Sequence, residues 1–224
     1  HVVYVWFDAL LNYVSAVGYG VDSKKEKAEF HRRWPAYHLV GKDITRFHCV
    51  IWPAMLLSAG LPLPRQVFGH GWVHLKGQKM SKSLGTSVDP LDVVDRFGPD
   101  PLRLYLVKEI AYGQDGDFSW ERFEERYNVD LANNLGNLVS RVSSMVERYC
   151  GGALAPVTGT PGPLAETAAG AVAAYRAAMD RFAMHEGAAA VYRIVDAANE
   201  FIAATEPWTL ARDPALAVRL NQVL

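Results

Sequence analysis

The chain is poor in cysteine, in net charge and in long apolar runs, and each shortage excludes a class of protein. Only Cys49 and Cys150 occur in 224 residues. They lie far apart and lack a Cys-x-x-Cys partner, which argues against a disulfide framework and against a structural zinc site within this stretch. No apolar run is long enough to span a bilayer, and no leading segment has the layout of a signal peptide, so no membrane partner is expected and the location is expected to be cytoplasmic. The formal net charge is only −1, so the strongly basic balance common in nucleic-acid domains is missing and any RNA contact must come from local patches. An initiator Met and a polar lead-in are absent too. His1 runs straight into the apolar stretch 2–7, and the chain reads as a portion of a longer protein.

Half of the residues are hydrophobic, enough for a sizeable core. The first part alternates strand and helix signals. Residues 2–7 read as a buried strand and 36–40 as a second that ends in Gly41-Lys42-Asp43. Residues 44–59 have helical spacing that Pro53 should kink; 66–75 read as a third strand. The charged segment 23–33 reads as an exposed loop or short helix. Such alternation predicts a parallel α/β sheet. From Asp89 the pattern is helical. Asp89-Pro90 and Ser119 are helix starts, Gly98-Pro99 is a stop, and one long helix is expected over 120–149. Residues 151–163 form a Gly-, Pro- and Thr-rich connector, followed by helices over about 164–186 and 188–205. In the long helix Leu131, Leu135, Leu138, Val142 and Met145 make one apolar stripe. Asn133, Asn137 and Arg141 step by four along another face, which spacing alone reads as solvated.

The most informative residues are Lys79-Met80-Ser81-Lys82-Ser83, flanked by Gly77 and Gly85. Two lysines three apart in a glycine-flanked loop can converge on one anion, and each ammonium suits phosphate oxygens. Lysines placed there stabilise the charge that develops as pyrophosphate leaves ATP. This pentapeptide is identical to the signature loop of the class I aminoacyl-tRNA synthetases. Val3-Tyr4-Val5-Trp6-Phe7-Asp8-Ala9-Leu10 through Tyr13, His38-Leu39-Val40-Gly41-Lys42-Asp43-Ile44 through His48 and Trp52-Pro53-Ala54, and Phe68-Gly69-His70-Gly71-Trp72-Val73 resemble the methionine-specific members of that class.

The resemblance implies α/β plus all-α: the second half of a Rossmann-type parallel-sheet catalytic domain (1–88), a connecting stem-contact region (89–127) and a helical anticodon-binding bundle (128–224). It implies ATP-dependent formation of methionyl-adenylate and transfer to methionine tRNA. Lys79 and Lys82 take the catalytic role; Gly41, Asp43, His70, Gly71, Val73, Ser81 and Ser83 bind ATP or the adenylate. Trp6, Ala9, Tyr13, Ile44, Phe47 and His48 form the methionine pocket, in which aromatic walls grip a thioether. Asn137, Arg141 and Trp208 read the anticodon by hydrogen bonds and stacking. ATP and Mg²⁺ are implied, with any zinc carried by the missing part. The His-Ile-Gly-His-type half of the ATP site is not in this stretch, so the missing amino-terminal half is itself an implied partner and the chain alone is expected not to activate methionine.

Read one residue at a time, the same positions have plainer explanations. Trp6 fits a core strand, His48 a structural histidine, Asp43 a helix cap and Trp208 a hydrophobic clamp. His70 and His74, four apart on one expected strand, share a face without a third ligand, so no metal site is expected. Two other readings stand beside the first: a class I synthetase for isoleucine, valine, leucine or cysteine, and an RNA-binding helical module with a vestigial nucleotide fold. A split or cleaved enzyme is a further possibility.

Overall fold

The computed structural model describes residues 4–80, 87–157 and 162–224. They group into two compact units. One comprises the described residues up to Trp72 together with Gly113–Asp115; the other comprises Val73–Tyr112 and the described residues from Gly116 onward.

The first unit carries α1 (Val5–Ala9), α2 (Asn12–Ser15), α3 (Lys24–Arg33), β1 (Tyr37–Gly41), α4 (Trp52–Ser58) and β2 (Gln66–His70). Residues 5–7 form a helical turn where a strand was expected. The amide of Leu10 donates to the Trp6 carbonyl at 3.2 Å, and among the described residues no strand pairs with this segment. Backbone groups without a ladder partner are satisfied locally, and no residue of α1 is buried. The charged segment 23–33 resolves into the helix α3, where Glu29 is held down to about pKa 2, chiefly by its hydrogen bond from Arg32.

β1 and β2 are parallel, in register from Tyr37 opposite Gln66 to Gly41 opposite His70. Along β1, His38 and Val40 point inward while Tyr37 and Leu39 face out. The expected kink at Pro53 takes the form of a π-helical turn over Phe47–Ile51 that leads into α4. Proline has no amide to close the ordinary turn onto the residue four before it, so a widened turn just ahead of it costs little. Leu10, Val14, Phe30, Trp34, Trp52 and Leu56 form the core. Each large aliphatic buried there stabilises by about 2 kcal/mol.

The second unit begins with β3 (Val73–Leu75) and β4 (Gln78–Lys79), an antiparallel hairpin. At its turn Lys76 and Gly77 both have positive φ, 50° and 75°, as a type I′ turn requires. The expected strand over 66–75 is therefore two strands. It breaks at Gly71-Trp72, where the Trp72 amide donates to the Asp115 carboxylate at 2.9 Å instead of to a neighbouring strand. This also corrects the placement of His70 and His74 on one strand.

Next come α5 (Pro90–Phe97), α6 (Pro99–Glu109), β5 (Gly116–Phe118), parallel to β3, and α7 (Trp120–Arg126). Both expected caps form: Asp89 accepts from the Leu91 amide at 2.9 Å and Ser119 from the Arg122 amide at 3.1 Å. Val93, Leu102, Tyr105, Phe118 and Phe123 pack together beneath them.

The long helix is interrupted. A π-helical stretch, Tyr127–Gly136, separates α7 from α8 (Asn137–Cys150). A π turn holds more residues than an α turn, so the apolar spacing slips and Leu135 ends exposed, at 37%. Gly136 sits where a Cβ would meet the Leu131 carbonyl oxygen at 2.7 Å.

α9 (Pro163–Asp180), α10 (Met184–Thr205), α11 (Pro207–Leu210) and α12 (Ala217–Val223) complete the unit. The break between α9 and α10 falls at 181–183, where Phe182 has φ 59°, and not at Gly187 as the spacing suggested. Gly187 lies inside α10, and a Cβ there would come within 3.1 Å of the Met179 sulfur. The glycine serves close helix approach instead of helix termination.

Candidate functional site

In the first unit, aromatic rings gather around two buried histidines. Tyr13, on α2, meets the His48 Nε2 through its hydroxyl at 2.8 Å, and the His48 Nδ1 lies 2.9 Å from the Ile44 carbonyl. A carbonyl only accepts, so Nδ1 carries the proton and the Nε2 of the neutral ring accepts from Tyr13. The π turn sets Phe47 beside His48: Trp6 stacks on the Phe47 ring at 4.4 Å and presents an edge to His48 at 5.9 Å. Burial pushes the Tyr13 hydroxyl pKa up, which keeps it a neutral donor.

Trp6, Tyr13, Phe47, His48 and Ile44 are thus brought together as the resemblance implied. Ile44 contributes its carbonyl to the network, and both His48 nitrogens are already engaged, so His48 acts through Tyr13. Ala9 ends the short helix that carries Trp6 and accepts a hydrogen bond from the Asn12 amide group. Polarizable ring edges and faces of this kind suit a thioether.

A second group stands at the carboxyl ends of the two parallel strands, where α/β sheets place their ligands. Gly41 closes β1 opposite His70 of β2. A Cβ on Gly41 would lie 2.6 Å from the Asp43 Oδ1, so glycine lets this carboxylate fold back over the strand end. The His70 Nδ1 donates to the Gly71 carbonyl at 2.9 Å. A Cβ on Gly71 would sit 2.1 Å from the Gln114 carbonyl oxygen; only glycine permits that approach. Lys42 binds both oxygens of Asp115 at 2.5 and 2.7 Å, and Asp115 also receives the Trp72 amide, which ties the strand ends together.

In the second unit, Val73 is half-buried on β3 opposite Gly116. Lys79 is exposed on β4 opposite His74. Ser81, Lys82 and Ser83 lie outside the described residues. Asn137 opens α8 exposed, and Arg141, one turn on, is half-buried. Trp208 is 37% exposed in α11, beyond Glu206, whose left-handed φ of 44° ends α10. The neighbouring Asn134 points elsewhere: its amide donates to Asp196 at 2.7 Å and its oxygen accepts from Asn199 at 2.8 Å. Among the described residues no group of three or more His, Cys, Asp or Glu could hold a metal ion, and no helix is long and apolar enough to cross a membrane.

Sequence reasoning missed His38, Trp52 and Asp115. Trp52 falls four residues after His48, and His38 alternates inward with Val40, so both had a periodic signal. Asp115 had none, because its partners Lys42 and Trp72 are remote in sequence.

A small parallel sheet with polar groups at its carboxyl strand ends, joined in one chain to a long run of helices, defines the class as an α/β protein with an added helical part. The family model described as tRNA synthetases class I (M) matches residues 1–143, more than half of the chain, and the chain belongs to that family. It is 44% identical over 228 residues to a methionine–tRNA ligase of Thermotoga maritima, covering 100% of this chain and 36% of the relative. It is 46% identical over 228 residues to that of Clostridium perfringens, covering 100% and 35%. The chain thus spans about a third of the length of these relatives. Among solved structures, Mycobacterium tuberculosis methionyl-tRNA synthetase in complex with methionyl-adenylate matches with a TM-score of 0.90 at 42% identity, covering 100% of this chain and 44% of that one. The apo form of the same enzyme matches at 0.86 and 38%, with the same coverage.

Proposed function

We propose that this chain is part of a methionine–tRNA ligase, contributing the amino-acid pocket, one side of the ATP site and the anticodon-reading helices. On this reading residues 1–88 are the second half of a Rossmann-type catalytic domain, 89–127 a connecting region and 128–224 the anticodon-binding bundle. The observation that carries it is the Tyr13–His48–Ile44 chain of hydrogen bonds beside the Trp6–Phe47 stack, in a chain similar along its whole length to methionine–tRNA ligases. Aromatic rings beside a neutral imidazole suit a long, flexible, polarizable side chain and offer no ion to a charged one.

In the reaction, a methionine carboxylate oxygen attacks the α-phosphorus of ATP. A new C–O–P linkage forms and the bond to pyrophosphate breaks. A terminal hydroxyl of the tRNA then attacks the acyl carbon, and AMP leaves with the bonding electrons. No covalent enzyme nucleophile is needed; catalysis is positioning and charge stabilisation. Trp6, Tyr13, Phe47 and His48, with Ala9 and Ile44, hold methionine. Gly41, Asp43, His70, Gly71 and Val73 seat the adenosine, with Ser81 and Ser83 beside the phosphates. Lys79 and Lys82 stabilise the charge of the departing pyrophosphate. Mg²⁺ would accompany the ATP phosphates and need few protein ligands of its own. Asn137, Arg141 and Trp208 bind unstacked anticodon bases, and a cytoplasmic location suits this work.

The test is methionine-dependent pyrophosphate exchange by the full-length parent, alongside Lys82→Ala. The expected result is exchange in the parent and a loss of about 10²–10³-fold in kcat in the variant, with methionine still bound. Exchange that depends instead on isoleucine, valine, leucine or cysteine would transfer the pocket to that amino acid.

A further inference from the structure

We propose that His38 is a positioning residue of the amino-acid pocket: as the acceptor for the Trp52 indole and a support for the Tyr13 ring, it holds the wall that keeps the Tyr13 hydroxyl on His48. The inference rests on the methionine reading for which substrate is measured, but its geometry lies wholly within the first unit.

His38 is 5% exposed and points inward from β1. The Trp52 Nε1–H donates to its Nε2 at 3.1 Å. An indole N–H can only donate, so this nitrogen must keep its lone pair, and His38 is neutral. Its ring lies 4.4 Å from that of Tyr13, 5.8 Å from Trp34 and 6.0 Å from His48. Tyr13 in turn lies 6.1 Å from Trp52. Burial, and then His48, lower its pKa from the usual histidine value, in keeping with the acceptor role. The Tyr13 hydroxyl reaches His48 from a ring that packs against both His38 and Trp52, and those two are oriented by one hydrogen bond. An ordinary core residue at this point would be replaceable by an apolar side chain of similar size. A buried indole N–H facing such a side chain loses its acceptor, and the ring turns to find another.

The experiment uses the full-length parent with His38→Leu, His38→Gln and Trp52→Phe, and the Leu change combined with Trp52→Phe. Glutamine keeps a carbonyl acceptor. KM for methionine, KM for ATP and the melting temperature are measured for each. His38→Leu should raise KM for methionine about 10-fold, the equivalent of one hydrogen bond of about 1.4 kcal/mol, and leave KM for ATP unchanged. His38→Gln should restore KM to within about twofold, and His38→Leu should add little in the Trp52→Phe background. If His38→Leu fails to fold, Trp52→Phe and His38→Gln alone decide: the first should raise KM for methionine selectively and the second should not. The proposal is overturned if KM for methionine stays constant in both His38→Leu and Trp52→Phe. Equal rises in both KM values with a falling melting temperature, unrescued by glutamine, would overturn it as well. A parent that shows no methionine dependence sinks the methionine reading instead. The same variants are then compared with the amino acid it does activate.

Discussion

Around Tyr13 the first unit buries two histidines against aromatic rings and a backbone carbonyl. Around Asp130 the second unit buries ions. Asp130, 5% exposed, binds Lys108 at 2.6 Å and stands 3.8 Å from Arg126. The Lys108 ammonium lies 4.3 Å from the Tyr192 ring of α10. Glu109 bridges to Arg122 at 2.9 Å and faces Arg126 at 3.7 Å, while the Arg126 Nε has no hydrogen-bond partner. The ions and the Tyr192 ring join α6, the π stretch and α10. The difference teaches that a buried polar group takes its character from its task. On the proposed methionine reading, a pocket for an uncharged thioether needs walls that hold direction without a field, whereas helices that bury a carboxylate between them gain definition from its paired cations.

Removing one partner of a buried pair strands the other. Asp130→Ala should therefore have the largest effect, a loss of about 3–5 kcal/mol in urea unfolding; a loss below about 1 kcal/mol would mean that the charges are effectively solvated and the contrast between the units is false. In the first unit, Gly71→Ala forces a Cβ into the Gln114 carbonyl. Relief needs backbone movement, costing about 1–3 kcal/mol, and the same denaturation experiment measures it.

Trp208→Ala separates surface from core. Unfolding should shift by no more than about 0.5 kcal/mol, while tRNA affinity of the full-length parent falls by about 1–3 kcal/mol in a filter-binding or anisotropy assay, the worth of a lost base stack. A variant that unfolds readily would return Trp208 to the clamp reading.

The smallest effect is a pH response confined to the first unit. Because the folded-state pKa of His38 lies below its unfolded value, the unfolded chain takes up the proton first. The contribution of His38 is complete above the unfolded value of about 6.5 and is lost as pH falls through it toward the folded value. The melting temperature should drop between about pH 7.5 and about pH 5.5, and less so in His38→Gln. Equal drops in the two proteins would assign the effect to other groups.

Much was legible in the chain itself. The caps at Asp89 and Ser119, the strand end at Gly41 and the kink at Pro53 are local signals, written in residues close in sequence. The residues proposed for the amino-acid pocket were singled out only through family resemblance, since a tryptophan in an apolar run looks like any core residue. Where local patterns misled, a remote partner decided. Residues 5–7 are strand-like in composition and helical in the structure, and Gly187 looks like a stop but meets Met179. The 120–149 periodicity ignores the π stretch that lets Asp130 reach Lys108.

The sequence by itself determined the caps at Asp89 and Ser119, the strand that ends at Gly41 and the family, because caps, turns and motifs act over a few residues. Only the tertiary structure decided that His48 has no nitrogen to spare, that His38 is neutral beneath Trp52 and that Asp115 ties Lys42 to Trp72. Apart from the Ile44 carbonyl, four residues before His48, those bonds join groups 14 to 73 residues apart, and a donor takes its acceptor from whatever the fold brings within about 3 Å.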